Sequence, residues 1–198
     1  MPSTPLQQIA DILPGYPFRG SVKPSADGDA WAIQVRHVSS QEWLSIKPGG
    51  PTLDRVTLKG RRKPDYLLPG DVLFLAKGAN NAAVLVEQVP EGTVCTPHFF
   101  LIRLKPGMHK KVLPGFLAWQ LNYGEARAAI AASRQGSLQP SVRKTELAQV
   151  PVTVPPLARQ QALVKLHRAA QREAEVLQAI IDNRRRQVNA IGQAILQQ

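Results

Sequence analysis

Residues 157–198, LARQQALVKLHRAAQREAEVLQAIIDNRRRQVNAIGQAILQQ, contain no proline and a single glycine, Gly192. The rest of the stretch is rich in residues that favour helix. Its repeat positions, at alternating spacings of four and three, are Leu163, His167, Ala170, Ala174, Leu177, Ile181, Arg184, Val188, Ile191 and Ile195; eight of the ten are apolar. That alternation is the pattern of a seam between paired helices. At about 1.5 Å per residue the helix runs ~60 Å, which overhangs the ~35–40 Å diameter expected of a domain of about 150 residues. The seam therefore needs a partner. The alternative, a helix folded back on its own domain, lacks any break that would make a hairpin. Arg184 lies on the seam itself, where it either pairs with an acid on a partner and fixes register or snorkels at the seam edge.

Working outward, VPVTVPP (150–156) is extended because its prolines disfavour helix, and 151–156 reads as a Pro-rich hinge. In residues 1–150, PLQQIADI (5–12) reads as a short helix ended by Pro14, Gly15 and Pro17. AWAIQVRHV (30–38) and DRVTLK (54–59) read as strands. LLPGDVLFLAKGANNAAVLVEQ (67–88) is the clearest β unit. Within it VLFLA (72–76) has the continuous apolar run of a buried strand, GANN (78–81) is a turn, and AAVLVEQ (82–88) returns. HFFLIRL (98–104) is a further strand, and PGMHKKVLPG (106–115) a loop. Residues 115–132 read as two helical pieces, 133–141 as a polar loop and 142–149 as one or two helical turns. The fold class is α+β, with one long coiled-coil helix at the end.

The charge narrows the partners. The 198 residues carry 25 Lys+Arg against 14 Asp+Glu, a net +11. Residues 1–156 contribute +7 and residues 157–198 contribute +4. A surface this basic attracts polyanions, of which nucleic acid is the commonest soluble one; the alternative is a well-solvated basic surface. Cys95 is the only cysteine, so no intrachain disulfide forms, and it reads as a small core residue in a reducing cytoplasm. The start has no basic, apolar leader pattern, and no run approaches the ~18 apolar residues of a membrane span. The expectation is a soluble, cytoplasmic protein with no membrane partner.

Catalytic signatures are missing. His37, His98, His109 and His167 are widely separated, and no Cys or His pair has metal-ligand spacing. There is no nucleophile elbow and no phosphate-cradling glycine loop. Asp65 and Asp71, with Lys77 beyond them, resemble the carboxylates and lysine of a metal-dependent nuclease, but no acid stands two residues before a lysine. Val154-Pro155-Pro156-Leu157 lacks the amide and the aromatic ring of a methyltransferase Asn-Pro-Pro-Tyr motif. The reading is a protein that is not an enzyme and holds no metal.

A succession of motifs carries a family likeness. Leu68-Pro69-Gly70-Asp71-Val72-Leu73-Phe74, followed by Lys77-Gly78, resembles a strand-turn of the target-recognition domains in type I restriction-modification specificity (S) subunits. Phe116-Leu117-Ala118-Trp119-Gln120-Leu121-Asn122 resembles their helix. Gly136-Ser137, then Leu147-Ala148-Gln149-Val150-Pro151-Val152, then Val154-Pro155-Pro156-Leu157 with Gln160, is similar to their closing passage into a spacer helix. The likeness covers nearly the whole chain. It implies a target-recognition domain with a curved sheet over 1–150, the hinge at 151–156, and a spacer and dimerisation helix over 157–198. It also implies sequence-specific double-stranded DNA recognition without chemistry of its own. The implied partners are DNA adenine methyltransferase subunits that hold S-adenosylmethionine, with or without a motor-nuclease subunit. Usual members carry two recognition domains and two helices. This chain has one of each, so the resemblance implies a half-size form that pairs with itself or a second specificity chain, or a truncated remnant. The competing reading is a basic DNA-binding or scaffold module without a methylation partner.

Candidate DNA contacts follow from side-chain chemistry: cations on phosphates, polar groups on base edges. Arg55, Lys59, Arg61, Arg62 and Lys63 place five cations in nine residues and read as a phosphate clamp or a solvated loop. Lys77, Asn80 and Asn81 read as a base-reading turn or plain turn chemistry. Arg134, Gln135, Ser137, Gln139, Ser141, Arg143 and Lys144 suit guanine and adenine edges. Lys110 and Lys111 read as phosphate contacts. The partner-helix positions are Leu163, Ala170, Ala174, Leu177, Ile181, Arg184, Val188, Ile191 and Ile195.

Overall fold

The structure, a computed structural model, describes residues 3–38, 42–46, 53–60, 63–77, 81–133 and 141–197. Contacts divide the chain into two compact units, Met1–Leu157 and Ala158–Gln198. In chain order the elements are β1 (Ser3–Pro5), α1 (Leu6–Ile9), β2 (Ala10–Pro14), β3 (Ala30–Ile33), β4 (Trp43–Ser45), β5 (Asp54–Val56), β6 (Val72–Leu75), β7 (Ala83–Gln88), β8 (Thr93–Cys95), β9 (Phe99–Leu104), α2 (Pro114–Asn122), α3 (Gly124–Ala132), α4 (Lys144–Ala148), β10 (Pro151–Thr153) and α5 (Leu157–Leu196). Short 3-10 turns occupy Val35–His37 and Met108–Lys110. The class is mixed α+β, ending in a long helix. Among the described residues, no helix is long and apolar enough to cross a membrane.

The central sheet has the order β2-β9-β6-β7-β4, beside a three-stranded sheet β5-β3-β8 and the pair β1-β10. Alternation along the strands explains the layering. Val72, Phe74, Leu85, Ile102 and Leu104 join a core with Leu117, Leu121, Ile130 and Leu147 of the helices. Leu73, Val84, Val86, Phe99 and Leu101 face the opposite way, into a core with Ile33, Leu44 and Cys95. A sheet buried on both faces needs apolar side chains at both parities, hence the continuous run at Val72–Phe74. Burial pushes the Cys95 thiol up to about 12, so it stays an inert core residue.

Asp71 explains the turn before β6. Gly70 has φ +93°, a left-handed conformation that favours glycine. Asp71 then closes the turn: its carboxylate accepts the Leu68 N–H at 2.7 Å, and its own N–H donates to the Leu68 carbonyl at 3.0 Å. From the neighbouring strand Arg103 grips the same carboxylate in a two-point contact, Nε to Oδ1 at 2.8 Å and Nη2 to Oδ2 at 2.7 Å. Its Nη2 also donates to the Tyr66 carbonyl at 2.8 Å. Hydrogen bonding to Asp71 is the main reason that the Arg103 pKa is raised. The pair fixes a buried acid and locks the 66–71 loop onto β9.

Several sequence expectations are corrected. Residues 5–12 do not form one helix: a single turn, α1, gives way to β2, where buried Ala10 and Ile12 flank exposed Asp11. The spacing of Leu6, Ile9 and Leu13 fits a helix, but a five-residue ladder with β9 wins. The strand expected over 30–38 stops at Ile33, and the one over 54–59 stops at Val56. The loop expected over 106–115 holds a 3-10 turn and yields to α2 at Pro114, a favoured first residue of a helix. The extended passage read as a hinge contains β10, which pairs antiparallel with β1, and Val152 is fully buried. The division between units falls after Leu157.

Replacing Arg103 by Met removes the main partner of a buried carboxylate. The Arg103→Met variant is expected to lose about 3 kcal/mol in denaturant unfolding. The double change Asp71→Leu/Arg103→Met recovers part of that loss, because no charge is left buried. A single variant within about 0.5 kcal/mol of wild type would show that the pair does not hold the loop.

Candidate nucleic-acid interface

Strand register defines one end of the central sheet. Pro14 stands opposite Phe100, Leu75 opposite Phe99, and Phe74 opposite Ala83. The ends of β2 and β6 therefore lie beside the starts of β9 and β7. Beyond β6, Lys77 forms an isolated antiparallel bridge with Ser141, and the Val142 N–H donates to the Ala76 carbonyl at 2.9 Å. This brings together two stretches that the sequence analysis singled out separately. Lys77, Arg143 and Lys144 are exposed there, and Ser141 is half-buried. Arg143 is tied to its own helix: its N–H donates to Glu146 Oε2 at 2.7 Å, and its guanidinium lies 3.6 Å from Oε1. Lys77 and Lys144 have no side-chain partner among the described residues.

Asn81 corrects an expectation. Its side chain is buried and donates to the Leu75 and Ala76 carbonyls at 2.9 and 3.2 Å, so it binds its own backbone and is not offered to a base edge. Arg127 of α3 donates to the Asn81 carbonyl. Helix α2 holds the same edge through Asn122, whose Oδ1 accepts the Ala83 N–H at 2.7 Å and whose Nδ2 donates to the Ala83 carbonyl at 2.8 Å. Gln120 does the same for β10, with Nε2 on the Thr153 carbonyl at 2.8 Å and Oε1 on the Thr153 N–H at 3.0 Å. Each amide substitutes for a neighbouring strand. Trp119 stacks between Phe116 and Tyr123 at centroid distances of 6.0 and 5.8 Å, and the Tyr123 hydroxyl donates to Glu42.

The three-stranded sheet carries a second basic zone. Arg55 lies with its guanidinium carbon 5.3 Å from the centre of the Trp31 ring, so its charge rests on an aromatic face. Lys59 and Lys63 are exposed. The segment after β2 adds Arg19 and Lys23, which sequence reasoning missed. They are single cations in a loop of Pro, Gly and Ser, and only their place beside Lys59 marks them. Arg36 is paired with Asp54. Next to it His37 has its pKa lowered, by burial and then by Arg36, and its Nδ1 accepts the Gln34 N–H at 3.1 Å. Lys110 and Lys111 are exposed but follow the opposite end of β9, away from Lys77. Arg61, Arg62, Asn80, Arg134, Gln135, Ser137 and Gln139 lie outside the described residues.

On α5, Leu163 and His167 are half-buried, while Ala170, Ala174, Leu177, Ile181, Arg184, Val188, Ile191 and Ile195 are exposed. Leu177 and Ile181 are 54% and 45% exposed, so the middle of the stripe is apolar surface among the described residues.

No protein-family model and no curated protein sequence matches the chain. Solved structures do. The S subunit of the type I restriction-modification system from M. genitalium aligns over 93% of this chain and 42% of its own, at 12% identity and a TM-score of 0.56. The HsdS subunit from Thermoanaerobacter tengcongensis aligns over 86% and 37%, at 18% identity and a TM-score of 0.58. A chain from a structure concerned with complex assembly and conformational transition of the type I R-M system aligns over 88% and 39%, at 17% identity and a TM-score of 0.61. The chain's fold is similar to that of part of a type I S subunit. The resemblance carried by the sequence motifs is thus borne out at the level of fold. This S-subunit fold spans about two-fifths of the length of the solved chains.

Proposed function

We propose that this chain is a non-catalytic, sequence-specific DNA-recognition subunit of a type I restriction-modification complex, in a half-size form. Two copies pair through α5 and scaffold DNA adenine methyltransferase subunits, which hold the S-adenosylmethionine. The observation that carries this reading is the agreement over nearly the whole chain with S-subunit folds more than twice as long. The net charge of +11 and the exposed cations at one end of the central sheet support duplex DNA as the ligand. The exposed apolar stripe of Leu177, Ile181, Val188 and Ile191 supports a second copy as the partner of α5.

The seam favours one antiparallel register. Its spacings are symmetric about position 179. Centred there, Leu177 meets Ile181 of the second copy, Ala174 meets Arg184, Ala170 meets Val188, His167 meets Ile191, and Leu163 meets Ile195. Each alanine then faces a longer side chain, and Ile180 of both copies flanks the axis. A slip of one heptad places Arg184 against His167 or against Ile181. Buried at this centre, Leu177 and Ile181 contribute roughly 1.5–3 kcal/mol each.

Two outcomes are expected. Duplex binding should weaken steeply with salt, with a log–log slope of roughly −4 to −5 if four to six phosphates are neutralised; a flat dependence on salt would sink the DNA reading. For the pairing, a spin label at Gln193→Cys reacts alone, since Cys95 is buried and inert. Pulsed electron paramagnetic resonance should give roughly 45 Å between copies, from about 42 Å along the rod and the width of the pair. A parallel pair would give roughly 20 Å, a heptad slip would move the axial part by about 10 Å, and a monomer would give no distance at all.

A further inference from the structure

A cavity of about 280 Å³ lies between the segment that follows β2 and the chain leaving β5. Among the described residues its cationic lining is Arg19, Lys23 and Lys59, and no carboxylate lines it. None of these three cations has an ion-pair or hydrogen-bond partner among the described residues. The nearby Asp29 carboxylate accepts the Leu58 N–H at 2.9 Å. Three like charges around one concavity repel one another and are relieved by an anion.

The rest of the lining says which kind of anion. Tyr16 and Phe18 form an apolar wall, their rings edge-to-face at 5.0 Å. Ser25 and Thr57, whose hydroxyls are 3.5 Å apart, bring hydroxyl groups from both sides. The volume exceeds that of a bare phosphate and suits a phosphate with an adjoining sugar, whose carbons need an apolar surface. The wall is held in place. Tyr16 donates its N–H to the Cys95 carbonyl at 2.8 Å, and its hydroxyl accepts the Gly60 N–H at 2.6 Å. A Cβ on Gly60 would come within 2.5 Å of that hydroxyl, so a larger residue there would displace the end of the Tyr16 side chain. The segment also leaves β2 at the end of the central sheet that carries Lys77 and Ser141.

We infer that this cavity seats one phosphodiester and its adjoining deoxyribose from the DNA bound at that end of the sheet. The inference rests on the duplex-recognition reading and adds Arg19, Lys23 and Lys59 as the residues that hold a single phosphate.

The test is duplex binding by the full chain over a series of salt concentrations, for wild type, Arg19→Ala, Lys23→Ala, Lys59→Ala and the triple variant. One shared phosphate predicts weaker binding on every sequence and a slope smaller by about 0.9 in the triple variant. Single changes would remove part of the same 0.9. Three independent surface contacts would instead flatten the triple slope by nearly three, and an indifferent surface would leave it unchanged; either result overturns the single seat while leaving duplex recognition intact. A parallel titration with inorganic phosphate, read from the backbone amide signals of Thr57 and Gly60, separates the cavity from that reading. Shifts in wild type that vanish in the triple variant support the seat, even if wild type were to bind no duplex. No shift in wild type overturns it.

Discussion

Gln120 and Asn122, two residues apart on α2, each replace a missing neighbouring strand. Asn122 takes both backbone groups of Ala83, where β7 begins, and Gln120 takes both backbone groups of Thr153, at the end of β10. The first strand borders the edge at which Lys77 and Ser141 meet; the second leads into α5 four residues later. One helix thereby ties the candidate reading edge to the strand before the long helix. Buried apolar residues of α2, Leu117 and Leu121, seat it on the central sheet, so the amides are held by packing rather than by the surface. The Asp71–Arg103 pair does the corresponding work for the loop before β6.

The elements that the sequence revealed are those whose pattern has a single physical reading. The uninterrupted α5, the doubly buried β6 and the β7 and β9 strands follow from periodicity and from apolar runs. Segments that depend on a distant partner were not legible. Trp43–Ser45 and Thr93–Cys95 are three-residue strands, stabilised by parallel pairing with β7 and β3 and too short to show a period. Ala10–Pro14 satisfied both helix and strand spacing, and only β9 decides between them.

The same distinction applies to the site. Lys77 and Ser141 were legible as polar positions, yet their meeting is a tertiary fact. Asn81 was legible as a turn residue, but whether its amide faced solvent or its own backbone depended on the carbonyls of Leu75 and Ala76. Arg19 and Lys23 carried no local signal, because charge density along the chain says nothing about cations that converge from separate segments. The family motifs acquire physical content here: glycine for a positive φ at position 70, aspartate for the arginine on β9, and asparagine for the backbone of Ala83.

The central claim is that two identical copies read DNA at a fixed separation. It is tested most directly by selecting preferred targets from a random duplex pool at one salt concentration. The account predicts a bipartite target whose two halves are identical, inverted, and separated by a spacer of constant length that carries no sequence preference. A pool that shows no enrichment, or one that converges on a single uninterrupted site, would contradict it.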